Sequence, residues 1–170
     1  GGLGFDETRR RGINPRMIEV TLDAYGWSGP WRGRRGFDSL VQMSCGIAEA
    51  GMRHFGRGRP TPLPVQALDH ATGYLMAAAA LSALARRVKT GQVMRARLSL
   101  ARTAALLMAH ASDDPTELAP ETAADLDTIG EATFWGPAFR LKPPLAIEGV
   151  DLRPALPAMP LGAHEAEWAS

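Results

Sequence analysis

The stretch Pro64–Lys89, P-V-Q-A-L-D-H-A-T-G-Y-L-M-A-A-A-A-L-S-A-L-A-R-R-V-K, decides the fold, and it carries a single acidic residue, Asp69. A short apolar-leaning run (Val65, Ala67, Leu68) precedes Asp69 and reads as a short strand. The Ala/Leu content of Gly73–Val88 predicts a helix, closed by Arg86, Arg87 and Lys89 near its negative end and by Gly91. That helix is apolar on most sides, which predicts burial. An aspartate at a strand-to-helix switch has two readings. It is a cap whose side chain accepts a bond from a free backbone N–H, or it is a reactive carboxylate held ionised by the positive end of the helix. Position alone leaves both open.

Working outward, F-D-E-T-R-R-R-G-I (residues 5–13) reads as a short helix with acids early and arginines late, stopped by Gly12. Asn14-Pro15 is a turn signal, and Met17–Leu22 reads as a buried strand rich in β-branched residues. The strand runs into D-A-Y-G-W-S-G-P-W-R-G-R-R-G, a structured loop at the carboxyl end of a strand, where open α/β sheets bind ligands. Its glycine-freed N–H groups and Arg32, Arg34 and Arg35 suit phosphate; the alternative is an ordinary surface loop. Phe37–Ala50 is expected to be one helix and Gly51–Pro64 a loop. Gln92–Leu98 alternates, with Met94, Ala96 and Leu98 on one face, so it is expected as a strand. Leu100–His110 is expected as a helix capped by Ser99. The order of elements predicts an α/β fold with too few strands for a full doubly wound sheet. Three segments are expected: a core over residues 1–110, an acidic linker over 111–131, and a Pro-rich extended tail over 132–170 that packs on the core or a partner.

The chain has 170 residues, enough for one domain with a core, and its 45% hydrophobic and 22% charged residues are ordinary for a globular protein. No apolar run reaches the ~20 residues of a membrane span, and the start, GGLGFDETRRR, has no signal-peptide core, so a cytoplasmic protein is expected. The single cysteine, Cys45, excludes an internal disulfide framework. The four histidines (54, 70, 110 and 164) form no ligand spacing, so no metal is expected. The net charge of +1 hides an asymmetry: residues 1–110 hold 16 Lys and Arg against 7 Asp and Glu, and residues 111–170 hold 3 against 11. The basic part favours an anionic ligand. Its arginines are scattered rather than packed on one helix with interleaved aromatics, which favours a phosphate-bearing small molecule over nucleic acid.

Three segments, in order, resemble a known family. Asn14–Trp31 is similar to N-P-R-L-I-x-x-x-x-x-G-Y-G-x-x-G-P-x, Gly33–Gly46 to R-x-G-F-D-x-x-x-Q-A-x-S-G, and Leu68–Gln92 to D-x-x-T-G-x-x-A-A-x-x-x-L-x-A-L-x-x-R-x-x-T-G-x-G-Q. These are motifs of the class III CoA-transferases (CaiB/BaiF type), which include 2-methylacyl-CoA racemases. The resemblance implies part of a Rossmann-like large domain, interlocked with a second chain. It implies acyl-CoA and a carboxylic acid as substrates, with the homodimer partner or a companion chain completing the site. The family's nucleophilic aspartate heads D-x-x-T-G, which here is Asp69; a basic residue and an aromatic that contact CoA correspond to Arg35 and Phe37, beside the G-Y-G loop with Tyr25 and Gly26. The racemases carry a histidine where this chain has Phe37, which cannot exchange a proton, so racemisation is disfavoured.

The chain departs from the family pattern in three places. The amino-terminal part of the large domain is not represented, the 111–131 linker stands where the small domain is expected, and M-R-A-R-L-S-L-A-R replaces V-D-V-S-L-x-D, with Arg102 near the usual Asp. Two readings follow: a CoA-transferase acting through Asp69, or a non-catalytic CoA-binding or dimerisation subunit.

Overall fold

A computed structural model describes residues 3–112 and 119–167, in two compact units, residues 1–113 and 114–170. In the first unit, α1 (Glu7–Ile13) is capped by Asp6, whose carboxylate accepts from the Arg9 N–H at 2.9 Å. The helix runs through Gly12 and ends at Asn14, so Gly12 is not its stop. Two strands follow the expected places: β1 (Glu19–Asp23) and β2 (Arg95–Ser99) pair in parallel, in register from Glu19 opposite Arg95 to Asp23 opposite Ser99. β1 is half-buried rather than buried, because among the described residues no third strand joins this sheet.

The crossover between the strands is helical. The helix expected over Phe37–Ala50 is two: α2 (Asp38–Ser44) and α3 (Ile47–His54). They are separated by Gly46, whose φ of +93° turns the chain where a residue with a Cβ would be strained. α3 also enters the segment expected as loop, because Gly51 serves a close approach rather than a break. A Cβ on Gly51 would lie 2.2 Å from the Thr61 carbonyl oxygen, and the Thr61 N–H donates to the Ala48 carbonyl at 2.8 Å. α4 (Ala67–Thr90) begins six residues before the expected start, so Ala67 and Leu68 are helical and the short strand before Asp69 does not form. The helix closes at Gly91, and α5 (Leu100–Ala109) begins at Ser99, whose hydroxyl caps the Arg102 N–H as expected.

α4 packs on both strands and on α5, and α2 packs on α3, α4 and α5. The core between them is small: Ala24, Val41, Ile47, Leu68, Leu100 and Ala104. A hydroxyl pair, Thr72 to Thr103 at 2.7 Å, fastens α4 to α5 inside it. α4 itself is not buried as expected. Leu68, Thr72 and Ala83 are its buried residues, while Tyr74, Leu81, Leu84 and Val88 lie exposed. Its apolar surface exceeds what two strands and α5 can cover.

In the second unit a 3-10 turn (Ala123–Asp125) leads into a hairpin, β3 (Leu126–Thr133) and β4 (Gly136–Leu141), joined through Phe134 and Trp135. β4 is one of the extended segments expected of the tail, but its partner β3 lies mostly in the stretch expected as a linker, so the hairpin spans that boundary. An ion pair from Arg140 to Glu131 at 2.8 Å bridges the strands, and Arg153 binds Asp127 at 2.5 Å. Residues 113–118 of the expected acidic linker lie outside the described residues.

The glycines give a two-sided prediction. Gly51→Ala drives a methyl group into the Thr61 backbone and should cost about 2 kcal/mol. Gly73→Ala adds a methyl in open space inside α4 and should gain about 0.5–1 kcal/mol. Urea denaturation of both variants checks this: the midpoints should move in opposite directions at unchanged slope.

Candidate functional site

The carboxyl ends of β1 and β2 and the amino ends of α2, α4 and α5 converge in the first unit. The β1 loop is tied down at its start. The Gly26 N–H donates to Asp23 at 2.6 Å, and the Ala101 N–H donates to the Ala24 carbonyl at 2.9 Å. Tyr25 is half-buried, packs on the core, meets Trp31 edge-on at 4.9 Å, and lies 3.2 Å from the Ser44 hydroxyl through its own. Gly36 lets this happen: a Cβ there would stand 2.7 Å from the Ala24 Cβ and 3.0 Å from the Tyr25 ring. The loop therefore returns directly onto Tyr25, with Arg35 and Phe37 on either side of the contact.

Arg35 is exposed and has no hydrogen bond or ion pair among the described residues. Phe37 is 72% exposed and occupies the cap position of α2 in extended conformation. Arg34, by contrast, is engaged over the Trp31 ring at 4.6 Å. The two residues that the family resemblance picked out for CoA contact are thus free on a fixed loop, as is the Arg32 side chain among the described residues.

Asp69 sits in the first turn of α4, exposed, and its side chain has no hydrogen bond or ion pair among the described residues. It does not cap the helix. The cap position is Gln66, whose side chain makes no capping bond. The cap comes from another helix. Asp38, the first residue of α2, is 1% exposed, and its Oδ2 accepts the Leu68 N–H at 2.7 Å and the Asp69 N–H at 3.0 Å. Its Oδ1 accepts from the Gln42 side-chain amide, which also donates to the Val65 carbonyl at 3.0 Å and accepts from the Leu63 N–H at 2.8 Å. Asp38 is adjacent in sequence to Phe37, so one hydrogen bond joins the free aromatic's neighbour to the backbone of Asp69. The sequence reading passed over Asp38 and Gln42. The signal available was their i, i+4 spacing and the polar pair on the apolar side of a short helix.

Tyr25 and Gly26 hold the loop, while Arg35, Phe37 and Asp69 face solvent around the shared ends of α2 and α4. A separate cavity of about 280 Å³ opens among α1, β1, β2 and Trp27, and contains none of these residues. Its charges are matched among themselves. Arg10 binds Glu19 at 2.6 Å, and Glu7 binds Arg95 and reaches Arg97 at 3.6 Å. The Arg95 guanidinium holds the Glu7 carboxyl below its ordinary value. Among the described residues no group of three or more His, Cys, Asp or Glu is placed to hold a metal ion.

Comparison with known proteins agrees with this architecture. The chain is 37% identical over 154 residues to a probable fatty acyl-CoA transferase of Mycobacterium tuberculosis, Rv3272, covering 82% of this chain and 36% of that protein. It is 39% identical over 93 residues to the beta subunit of a succinyl-CoA–L-malate CoA-transferase of Chloroflexus aurantiacus, covering 54% of this chain and 22% of that one. The crystal structure of Rv3272 superposes with a TM-score of 0.57 at 32% identity, over 64% of this chain and 30% of that one. The chain thus spans about a third, or less, of the length of these relatives. A CAIB/BAIF family protein of Brucella suis shares the fold at 22% identity, with a TM-score of 0.55, over 80% of this chain and 37% of that one. Residues 2–132 match CoA-transferase family III, a span that includes all three motif segments between Asn14 and Gln92, and the chain belongs to that family.

Proposed function

We propose that this chain carries the nucleophile and part of the coenzyme A site of a CoA-transferase, with Asp69 as the reacting carboxylate. The observation that carries the reading is the free Asp69 side chain on a helix turn whose backbone is held by Asp38, next to the exposed Phe37 and Arg35. A carboxylate that reacts at a thioester must present its oxygens to the acyl carbon, and it must also leave again from an anhydride. In the proposed cycle, an Asp69 oxygen attacks the acyl carbon of acyl-CoA and expels CoA thiolate, giving an acyl-aspartyl anhydride. The thiolate attacks the Asp69 carbonyl, releases the first carboxylic acid and leaves an aspartyl-CoA thioester. The acceptor carboxylate then displaces CoA to form a second anhydride, and the returning thiolate takes the new acyl group and frees Asp69. Arg35 supplies charge to a CoA phosphate and Phe37 a face for the nucleotide or pantetheine, with Tyr25 and Gly26 shaping the loop beneath them. Phe37 offers no titratable group, which argues against 2-methylacyl-CoA racemisation.

A second reading, a non-catalytic CoA-binding or dimerisation subunit, draws on the short span relative to the relatives, one of which is named as a beta subunit. In either reading the organisation proposed is a core over residues 1–110, a 111–131 linker and a 132–170 tail that packs on the core or on a partner. A second chain, identical or a companion, interlocks with this one and completes the site, in the cytoplasm.

Two measurements test the proposal. With acetyl-CoA, succinyl-CoA or a longer acyl-CoA present, borohydride or hydroxylamine should trap a label on Asp69, located by peptide mass, and Asp69→Ala should abolish it. CoA bound with Asp69 unlabelled would overturn the nucleophile reading in favour of the subunit. Arg35→Ala should weaken CoA binding about tenfold in calorimetry, the loss of roughly one charge-assisted hydrogen bond; unchanged affinity would remove Arg35 from the site.

A further inference from the structure

We infer that Asp38 is a positioning residue for Asp69. The inference rests on the reading of Asp69 as nucleophile and adds what holds it in place. α4 begins after a proline-rich approach and its own cap residue, Gln66, gives no side-chain bond, so its first turn depends on a donor-binding group from elsewhere. Asp38 supplies it, with one oxygen on the Leu68 and Asp69 N–H groups and the other on Gln42. Gln42 cannot turn its amide over, because its oxygen already accepts from the Leu63 N–H and its nitrogen already donates to the Val65 carbonyl. The Asp38 carboxylate is therefore fixed from both sides, and the Asp69 backbone is fixed by it. A reacting group displaced by about 1 Å loses on the order of a hundredfold in rate, so this bond acts on the reaction without touching substrate.

The substitution that separates the parts is Asp38→Asn. Its carbonyl oxygen still accepts from Leu68 and Asp69, but its amide nitrogen then opposes the Gln42 nitrogen, donor against donor. Asp38→Ala removes both sides. Amide hydrogen exchange on the full chain should show Leu68 and Asp69 unprotected in Asp38→Ala and partly protected in Asp38→Asn. The β1–β2 amides and the Ala101 amide serve as the folding control. Wild-type protection at Leu68 and Asp69 in both variants would overturn the inference. With the same acyl-CoA as trap substrate, the rate of label capture at Asp69 should fall about a hundredfold in Asp38→Ala and less in Asp38→Asn. The calorimetric Kd for CoA should stay within about twofold of wild type. Capture at the wild-type rate in both variants would also overturn it. If the wild-type chain itself captures no label, the nucleophile reading fails, and the exchange result still decides whether Asp38 positions the turn.

Discussion

The first unit depends on one buried carboxylate. Asp38 is withdrawn from water almost completely, which without partners costs several kcal/mol. Three N–H donors offset that cost: two from the first turn of α4 and one from Gln42. Hydrogen bonds to a charged group contribute about 1.5–3 kcal/mol each, so the set is favourable only while all the partners stay in place. Asp38 accordingly links three stretches far apart in sequence, the start of α2, the approach at Leu63–Val65 through Gln42, and the start of α4. Removing any one of them strands a charge inside the core beside Val41 and Leu68, which are fully buried. This makes the junction of α2 and α4 all-or-none.

The rest of the unit is lightly held by comparison. Its core contains small residues, Ala24 and Ala104 among them, and the parallel sheet has two strands. α4 contacts both strands and α5 yet keeps Tyr74, Leu81, Leu84 and Val88 in solvent. Fully burying such side chains is worth roughly 1.5–3 kcal/mol each, so a large stabilisation remains unrealised along this helix. Buried polar contacts, at the α2–α4 junction and in the Thr72–Thr103 hydroxyl pair between α4 and α5, therefore carry more of the specificity than apolar packing does.

Much of this was legible in the sequence where a local rule operates. The β-branched run before the glycine loop and the alternation over Gln92–Leu98 placed both strands to within three residues, and Ser99 announced α5. The N-P-R, G-F-D and D-x-x-T-G segments pointed to the family that the comparison then showed. The misses occurred where a distant residue decides a local outcome. Gly46 and Gly51 look alike in sequence, yet one breaks a helix and the other admits a neighbouring carbonyl. The start of α4 was misplaced because its cap lies 31 residues away from Asp69, in Asp38. The helix looked buried because composition reports what a surface would prefer, and not whether the chain has enough partners to cover it.

The same long-range bond answers one of the two questions the sequence left joined at Asp69, namely which carboxylate caps the helix. A carboxylate that caps its own helix spends its oxygens on backbone N–H groups, whereas a nucleophile needs at least one oxygen free to meet an acyl carbon. The structure gives the capping task to Asp38 and leaves the Asp69 side chain, one hydrogen bond away, out of it. Asp38 is buried and every partner it has is structural; Asp69 is exposed, and what it gives to the cap is its N–H alone. Environment, not residue type, sets these two carboxylates apart. An aspartate in the first turn of a helix whose cap is borrowed from elsewhere is thus left with its side chain to spare.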